Sequence, residues 1–140
     1  MIAATFSAFS TLVAGLPGIP DIDEIERVTT GGEAVRANYV VVYPPAIPDL
    51  DDQRYTAPQR AVSRAVHRFD VRPVATSGDG LLFLVDALRG GLIGASLSVS
   101  GRVVEPLRLV PGVEEGAARY DRTARLFYMD LTFETISRPL

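Results

Sequence analysis

The most regular pattern in the chain is the run RLFYMDLTFETIS at residues 125–137. Its side chains alternate: one parity carries Phe127, Met129, Leu131 and Phe133, and the other carries Tyr128, Asp130, Thr132 and Glu134. Successive side chains of a β-strand point to opposite faces of the sheet. The run therefore predicts a long strand with one apolar face and one polar face.

A second alternating run, AVSRAVHRFDVRPVA, occupies residues 61–75. Its apolar parity carries Ala65, His67, Phe69 and Val71, and its charged parity carries Arg64, Arg68, Asp70 and Arg72. This pattern predicts another long, half-exposed strand. Pro73 near its end has no N–H to donate, which favours an edge position or a bulge. His67 lies on the apolar parity, so we expect a hydrogen-bonded core or interface residue rather than a catalyst.

Shorter runs predict the other strands. The segment ANYVVVYPP at residues 37–45 contains the apolar core Tyr39–Tyr43, which is typical of a strand covered on both faces. Gly31-Gly32 separates Ile25–Thr30 from Ala34–Tyr43, and a Gly-Gly pair between such runs predicts a hairpin. The later segments are interpreted as strands at Leu97–Val104 and Leu107–Val110, followed by a polar loop over Pro111–Arg122.

Two segments have helical periodicity. In Met1–Leu16 the apolar residues recur at spacings of three and four: Ile2, Phe6, Phe9, Leu12, Val13 and Leu16. The second helix is predicted over residues 79–93, capped by Ser77 or Asp79 and closed or frayed by Gly90 and Gly91. Its predicted buried stripe comprises Leu81, Leu82, Leu84, Val85, Leu88 and Leu92. Mostly antiparallel strands with two helices packed on one side indicate a single α+β domain over residues 1–140.

Composition excludes several kinds of site. The 140-residue chain has no cysteine and one histidine, which excludes disulfides, iron–sulfur clusters, thiolate zinc sites and histidine-rich metal centres. Its formal net charge of −3 makes a broad basic surface for nucleic acid unexpected. The N-terminal run has neither a basic flank nor an apolar core of about 18 residues, so we expect neither an export signal nor membrane insertion.

Sequence motifs for catalysis are absent from the chain. It contains no GxSxG elbow, no phosphate-binding GxxxxGK[ST] and no HExxH. Asp130 and Glu134 share one strand face but stand about 13 Å apart, too far for a glycosidase pair. Arg125 and Arg138 are near enough in sequence to neutralise them. The turn SGDG at 77–80 could hold an anion, although strand-to-helix turns often need such residues anyway. We therefore expect no enzymatic activity and no cofactor.

Residues 44–60 contain four prolines and no sustained periodicity, which predicts a long loop or extended arm. Asp49, Asp51 and Asp52 cluster in this arm. Three carboxylates could bind calcium, but the spacing lacks the glycine and terminal glutamate of an EF-hand loop. A solvated or partner-contacting loop is the favoured interpretation.

Charge is unevenly distributed along the chain. Residues 1–52 carry eight acids and two arginines, and residues 53–140 carry nine acids and twelve arginines.

The order of these segments resembles that of tail-terminator proteins (tail completion or minor tail proteins) of long-tailed bacteriophages, or siphoviruses, especially those of actinobacteria. The similarity lies in the succession of a short helix, ANYVVVYPP, a proline-broken loop, RYTAPQ (54–59), RPVATS (72–77) and RYDRTARLFYMDLTFETISR (119–138). In such proteins an aspartate-containing loop precedes an aromatic strand that ends in serine and a basic residue. The matching positions are Asp121, Phe127, Tyr128, Phe133, Ser137 and Arg138.

The resemblance implies a structural role in the virion. Tail terminators form a ring, usually of six copies, on the completed tail tube at its head-proximal end. The ring stops tube polymerisation and gives the head or its connector proteins a docking surface, and genomic DNA passes through its lumen without sequence-specific binding. Assembly takes place in the host cytoplasm. The implied partners are therefore other copies of the chain, the tail tube protein and a head–tail connector protein, with no membrane.

A ring subunit needs two different surface patches that fit each other. We expect Arg64, Arg68 or Arg72 of one subunit to face Asp49, Asp51 or Asp52 of its neighbour. Two alternatives remain open from the sequence. The chain could be a head-completion or connector protein, which also forms rings, or a cellular α+β binding module or small enzyme.

Overall fold

Two helices and nine strands lie in the part of the chain that the structure, a computed structural model, describes: residues 2–20, 22–23, 32, 36–45, 49–50, 64–111 and 118–140. In chain order they are α1 (Ile2–Ala14), β1 (Ile22–Asp23), β2 (Tyr39–Val42), β3 (Asp49–Leu50), β4 (Ala65–Ala75), α2 (Gly78–Leu92), β5 (Arg102–Val104), β6 (Arg108–Leu109), β7 (Arg119–Asp121), β8 (Leu126–Tyr128) and β9 (Leu131–Pro139).

The strands form one sheet around β4 and β9. One path runs β1-β2-β4-β8-β7, while β9 pairs with β4 and is flanked on its far side by β5 and β6. The short strand β3 pairs with the beginning of β4. Every described pair is antiparallel except β1 with β2. The structure therefore confirms the α+β interpretation and the mostly antiparallel sheet.

Pro73 lies in a central strand, so the expectation of an edge position or bulge is wrong. β4 has strands on both sides, with Pro73 opposite Val40 of β2. On the other side β8 and β9 pair with β4 in one register, interrupted at Met129 and Asp130. Met129 still donates its N–H to the Pro73 carbonyl at 3.3 Å. The missing N–H of the proline is accommodated by that interruption rather than by a sheet edge.

Both helices cover one face of the sheet, and aromatic rings join the layers. Phe9 of α1 stacks on Phe69 of β4 with ring centroids 4.2 Å apart and an angle of 5° between ring planes. Phe133 of β9 also lies next to the Phe9 ring, with ring centroids 6.3 Å apart. Ser77 caps α2 through its Oγ, which accepts from the Gly80 N–H at 3.0 Å. The predicted first helix and the Ser77 cap are confirmed.

The second helix differs from its prediction in two respects. Leu82 is 53% exposed, so it does not belong to the buried stripe of Leu81, Leu84, Val85, Leu88 and Leu92. Gly90 and Gly91 lie inside the helix rather than ending it. A Cβ at Gly91 would overlap the Leu16 side chain. The glycine therefore lets the segment after α1 approach the helix closely.

Several other predicted boundaries change. The run Tyr39–Val42 is fully buried, as expected for a strand covered on both faces. The predicted strand at 97–104 shrinks to β5, and the polar loop at 111–122 contains β7. The proposed arm at 44–60 contributes β3 to the sheet, and its residues 46–48 and 51–60 lie outside the described part. Most of the predicted Gly31-Gly32 hairpin also lies outside the described residues. Neither described helix is long and apolar enough to cross a membrane.

Candidate interaction surface

The sheet face opposite the helices carries most of the charged side chains of the central strands. Because Phe69 and Phe133 point to the helices, the other parity of each strand points outward. We call this surface the arginine face. It comprises Val66, Arg68, Asp70 and Arg72 of β4, Val103 of β5, Arg108 of β6, Asp130 between β8 and β9, and Thr132, Glu134, Ile136 and Arg138 of β9. Four arginines stand here against three carboxylates.

Glu134 is held between two arginines of this face. Arg68 Nε donates to Oε2 at 2.8 Å, and Arg108 Nε donates to Oε1 at 2.8 Å, with a further ion pair from Arg108 Nη2. The two guanidinium side chains cover the carboxylate, which is only 5% exposed. Burial by itself would raise the pKa of Glu134, but the hydrogen bonds from Arg108 and Arg68 outweigh it and lower the pKa. Glu134 is therefore a buried carboxylate in its ionised form.

Arg72 forms the second ion pair of the face. Its Nε and Nη2 donate to the two carboxylate oxygens of Asp130 at 2.7 and 3.1 Å, a bidentate pair. The same guanidinium lies 4.6 Å from the ring centre of Tyr128 and 5.9 Å from that of Tyr43. The arginine is therefore fixed by both charge and aromatic contacts.

These pairings correct the sequence interpretation of the two carboxylates. Glu134 and Asp130 pair with Arg68, Arg108 and Arg72 of other strands, not with their sequence neighbours Arg125 and Arg138. The sequence did contain a signal for these pairs, because antiparallel pairing of the two alternating runs can place Arg68 opposite Glu134. The signal could be used only once the register of the two strands was known.

His67 and Ser137 form a buried polar cluster on the helix-facing side. Arg102 Nε donates to Ser137 Oγ at 2.9 Å, and Ser137 Oγ lies 2.9 Å from His67 Nε2. The serine hydroxyl accepts from the guanidinium and shares a hydrogen bond with the imidazole, whose direction depends on the tautomer of the ring. Burial and then the charge of Arg102 lower the pKa of His67 from 6.5 to about 4. Both side chains are buried, which confirms His67 as a hydrogen-bonded core residue.

The predicted interface residues fall into two groups. Arg68 and Arg72 belong to the arginine face, and Arg64 is exposed immediately before β4. The backbone of Asp49 pairs with Val66 in the same chain, so the structure places it beside this strand. Asp51 and Asp52 lie outside the described residues.

Among the described residues, no group of three or more acidic or histidine side chains is arranged to hold a metal ion.

A second surface, which the sequence analysis missed, lies on the outer side of α2. We call it the helix stripe, and it comprises Asp79, Leu82, Phe83, Asp86, Arg89, Gly90 and Ile93, all exposed. Leu82, Phe83 and Ile93 are 53%, 62% and 45% exposed. Helical spacing places these positions within one stripe. The signal in the sequence was the presence of more apolar residues in α2 than one buried stripe requires.

A recess next to Phe83 adjoins the helix stripe. It has a volume of about 410 Å³ and is lined by Gly18, Ile19, Pro20, Asn38, Gly80, Phe83 and Leu84. Gly18 has φ +88°, and a Cβ at this position would lie 3.1 Å from the nearest atom of the Phe83 ring. The recess is therefore a shallow apolar notch beside an exposed aromatic ring.

Comparisons with known proteins bear on the fold. No protein-family model matches the chain, and no curated protein matches it. Among solved structures, the chain is similar to one in the virion of a native gene transfer agent particle, with a TM-score of 0.64 and 19% identity. The match covers 97% of this chain and 96% of that chain. The two chains share a fold.

Proposed function

We propose that the protein is a structural protein of a virion, and specifically a tail terminator. The observation that carries this proposal is the fold shared with a chain of a gene transfer agent virion over nearly the full length of both chains. A match over 97% of this chain and 96% of that chain suits two subunits with similar structural roles. The order of sequence segments, which resembles that of tail terminators, supports the finer assignment.

In this proposal the protein acts by covering the end of the tail tube. Copies of the chain form a ring, of six subunits, on the finished tail tube and prevent further tube subunits from adding. The opposite side of the ring presents a docking surface to the head–tail connector protein. DNA passes through the ring, so its lumen must not retain DNA strongly. A chain with a net charge of −3 suits that requirement.

The protein works without catalysis in this proposal, and it needs no cofactor. Its charged groups support that view, because Glu134 and Asp130 are engaged in ion pairs with arginines. The Ser137–His67 pair is buried. The proposed chemistry is therefore that of protein–protein contact, with the virion as the final location.

Contacts between neighbouring subunits use charge in this proposal. Arg64, Arg68 or Arg72 of one subunit faces the acidic cluster Asp49, Asp51 and Asp52 of its neighbour. The three arginines follow one parity of β4 and its preceding residue, which presents them on one side. Arg64→Glu tests this contact, because it reverses one charge of the group and leaves the ion pairs of Arg68 with Glu134 and of Arg72 with Asp130 in place. We expect the variant to weaken ring assembly and reduce its sensitivity to salt, and unchanged assembly and salt sensitivity would contradict the contact.

The proposed function is tested by imaging the purified protein with assembled tail tubes. We expect rings, or caps found only at tube ends, and shorter tubes when the protein is present during polymerisation. A protein that ignores tubes but binds a head connector would be a head-completion protein instead. A protein that binds neither would contradict the virion role and favour a cellular binding module or small enzyme.

A further inference from the structure

The helix stripe and the arginine face lie on opposite sides of the subunit. α2 packs its buried residues on one face of the sheet, so its outer side is directed away from the sheet. The arginine face is the other face of the same sheet. A contact that joins the two surfaces can therefore form only between different copies of the chain.

Both surfaces carry exposed apolar side chains. On the helix stripe these are Leu82, Phe83 and Ile93. On the arginine face Val103 is 36% exposed, and Leu140, the residue after β9, is 87% exposed beside the end of that strand. Large apolar side chains gathered on two surfaces are typical of contacts with another protein. The notch next to Phe83 also provides space for a side chain from the opposite surface.

The charges of the two surfaces are complementary. The helix stripe carries Asp79 and Asp86 against Arg89, a net charge of −1. The arginine face carries Arg68, Arg72, Arg108 and Arg138 against Asp70, Asp130 and Glu134, a net charge of +1. Complementary potentials align two surfaces and reject alternatives in which like charges meet. A symmetric stripe-to-stripe contact would instead bring together two surfaces of the same net charge.

We propose that the helix stripe of one copy packs on the arginine face of the next copy. The occupant of each surface is then a second copy of this chain, joined head to tail, and in this arrangement the arginine face meets the helix stripe instead of the Asp49, Asp51 and Asp52 cluster. A head-to-tail contact leaves one unused surface at each end, and it forms a ring where the rotation between successive copies closes. This inference deepens the proposed function and rests on it, because the ring is the assembly in which every copy uses both surfaces.

Cross-linking tests the contact directly, because the chain has no cysteine of its own. We would prepare Leu82→Cys on the helix stripe, Val103→Cys on the arginine face, and the double variant. A bismaleimide would be added with and without tail tubes. As a matched control, Thr123→Cys, in the exposed turn between β7 and β8, would be mixed with Leu82→Cys.

The head-to-tail contact predicts a specific pattern of products. The double variant should give a ladder of multimers, while a mixture of the two single variants should stop at a cross-linked dimer. Leu82→Cys alone, Val103→Cys alone and the Thr123→Cys mixture should stay monomeric. Efficient self-cross-linking of Leu82→Cys would overturn the proposal in favour of a symmetric stripe-to-stripe contact. Absence of cross-links would also overturn it, whether or not rings are visible.

The outcomes separate this inference from the proposed function. Rings on tube ends without these cross-links would leave the tail-terminator role intact and contradict only the contact. The predicted ladder from a protein that ignores tail tubes would support the contact and contradict the role.

Discussion

Arg68 and Glu134, which are 66 residues apart in the sequence, face each other across two antiparallel strands with Nε and Oε2 2.8 Å apart. Arg108 approaches the same carboxylate from β6. Glu134 therefore ties three strands together on the outer face of the sheet. The ion pair combines a buried acid with two exposed bases, which limits how much free energy it contributes.

Removing the charge of Glu134 tests this contact. Glu134→Gln keeps the size of the side chain but weakens its hydrogen bonds with Arg68 and Arg108. We expect the free energy of unfolding to fall by about 1 kcal/mol after allowance for solvent screening at the exposed arginines. Urea denaturation at neutral pH measures this change in the free energy of unfolding, with Asp70→Asn as the exposed control on the same face. Equal effects of the two substitutions would contradict a special role for Glu134.

The buried histidine predicts a pH dependence of stability. The pKa of His67 is about 4 in the folded protein and 6.5 in its ordinary state, so the unfolded chain takes up the proton first as pH falls. Stability is therefore complete above about pH 6.5 and declines as pH falls to about 4, by up to about 3 kcal/mol. His67 is the only histidine of the chain.

Unfolding measured between pH 7 and pH 5 tests this dependence, because most carboxylates titrate below that range. We expect the wild-type free energy of unfolding to decrease with falling pH and His67→Gln to remove most of that slope. A wild-type curve that is flat across this range would show that His67 protonates equally easily in the folded protein.

Neighbouring glycines of α2 provide a matched pair of substitutions. A Cβ at Gly90 meets nothing within 4 Å, whereas a Cβ at Gly91 would overlap Leu16. Gly90→Ala should raise the free energy of unfolding by about 0.5–1 kcal/mol, because alanine favours the helix. Gly91→Ala should gain less or lose stability, because Leu16 must move. Thermal unfolding of both variants measures the difference, and equal stabilisation would contradict the close approach.

Stacking between the helix layer and the sheet predicts a large effect at Phe9. This ring is fully buried against Phe69, so Phe9→Ala should lower the free energy of unfolding by about 3–5 kcal/mol. Phe83→Ala is the control, since Phe83 is 62% exposed and should change stability little. Chemical denaturation of both variants compares them. If Phe83→Ala lowered the free energy of unfolding as much as Phe9→Ala, the exposed ring would stabilise the fold rather than serve a contact between copies of the chain.

The sequence predicted the elements whose patterns are long. Alternation over 65–71 and 131–134 identified the two central strands and the side chains that pack on the helices, although Glu134 on the polar parity is also buried. Pro73 misled the prediction. The free-energy cost of its missing N–H depends on which residue of the neighbouring strand lies opposite. Only the fold shows that this residue is Met129, where the pairing of β4 with β8 and β9 is interrupted.

Predicting the surfaces from the sequence was harder, because they depend on pairing between distant strands. The arginines of β4 were recognised as a group, but their partners Glu134 and Asp130 became evident only from the register. The helix stripe was missed because Leu82 fits an apolar periodicity equally well whether it is buried or exposed. Tertiary packing, which assigns each side of a helix to core or solvent, decided this position.

The most direct test of the account is electron microscopy of tail tubes assembled with and without the purified protein. The account predicts rings or caps confined to tube ends, together with an end to tube growth once they are bound. Tubes that remain bare at both ends and grow equally long in the presence of the protein would contradict it.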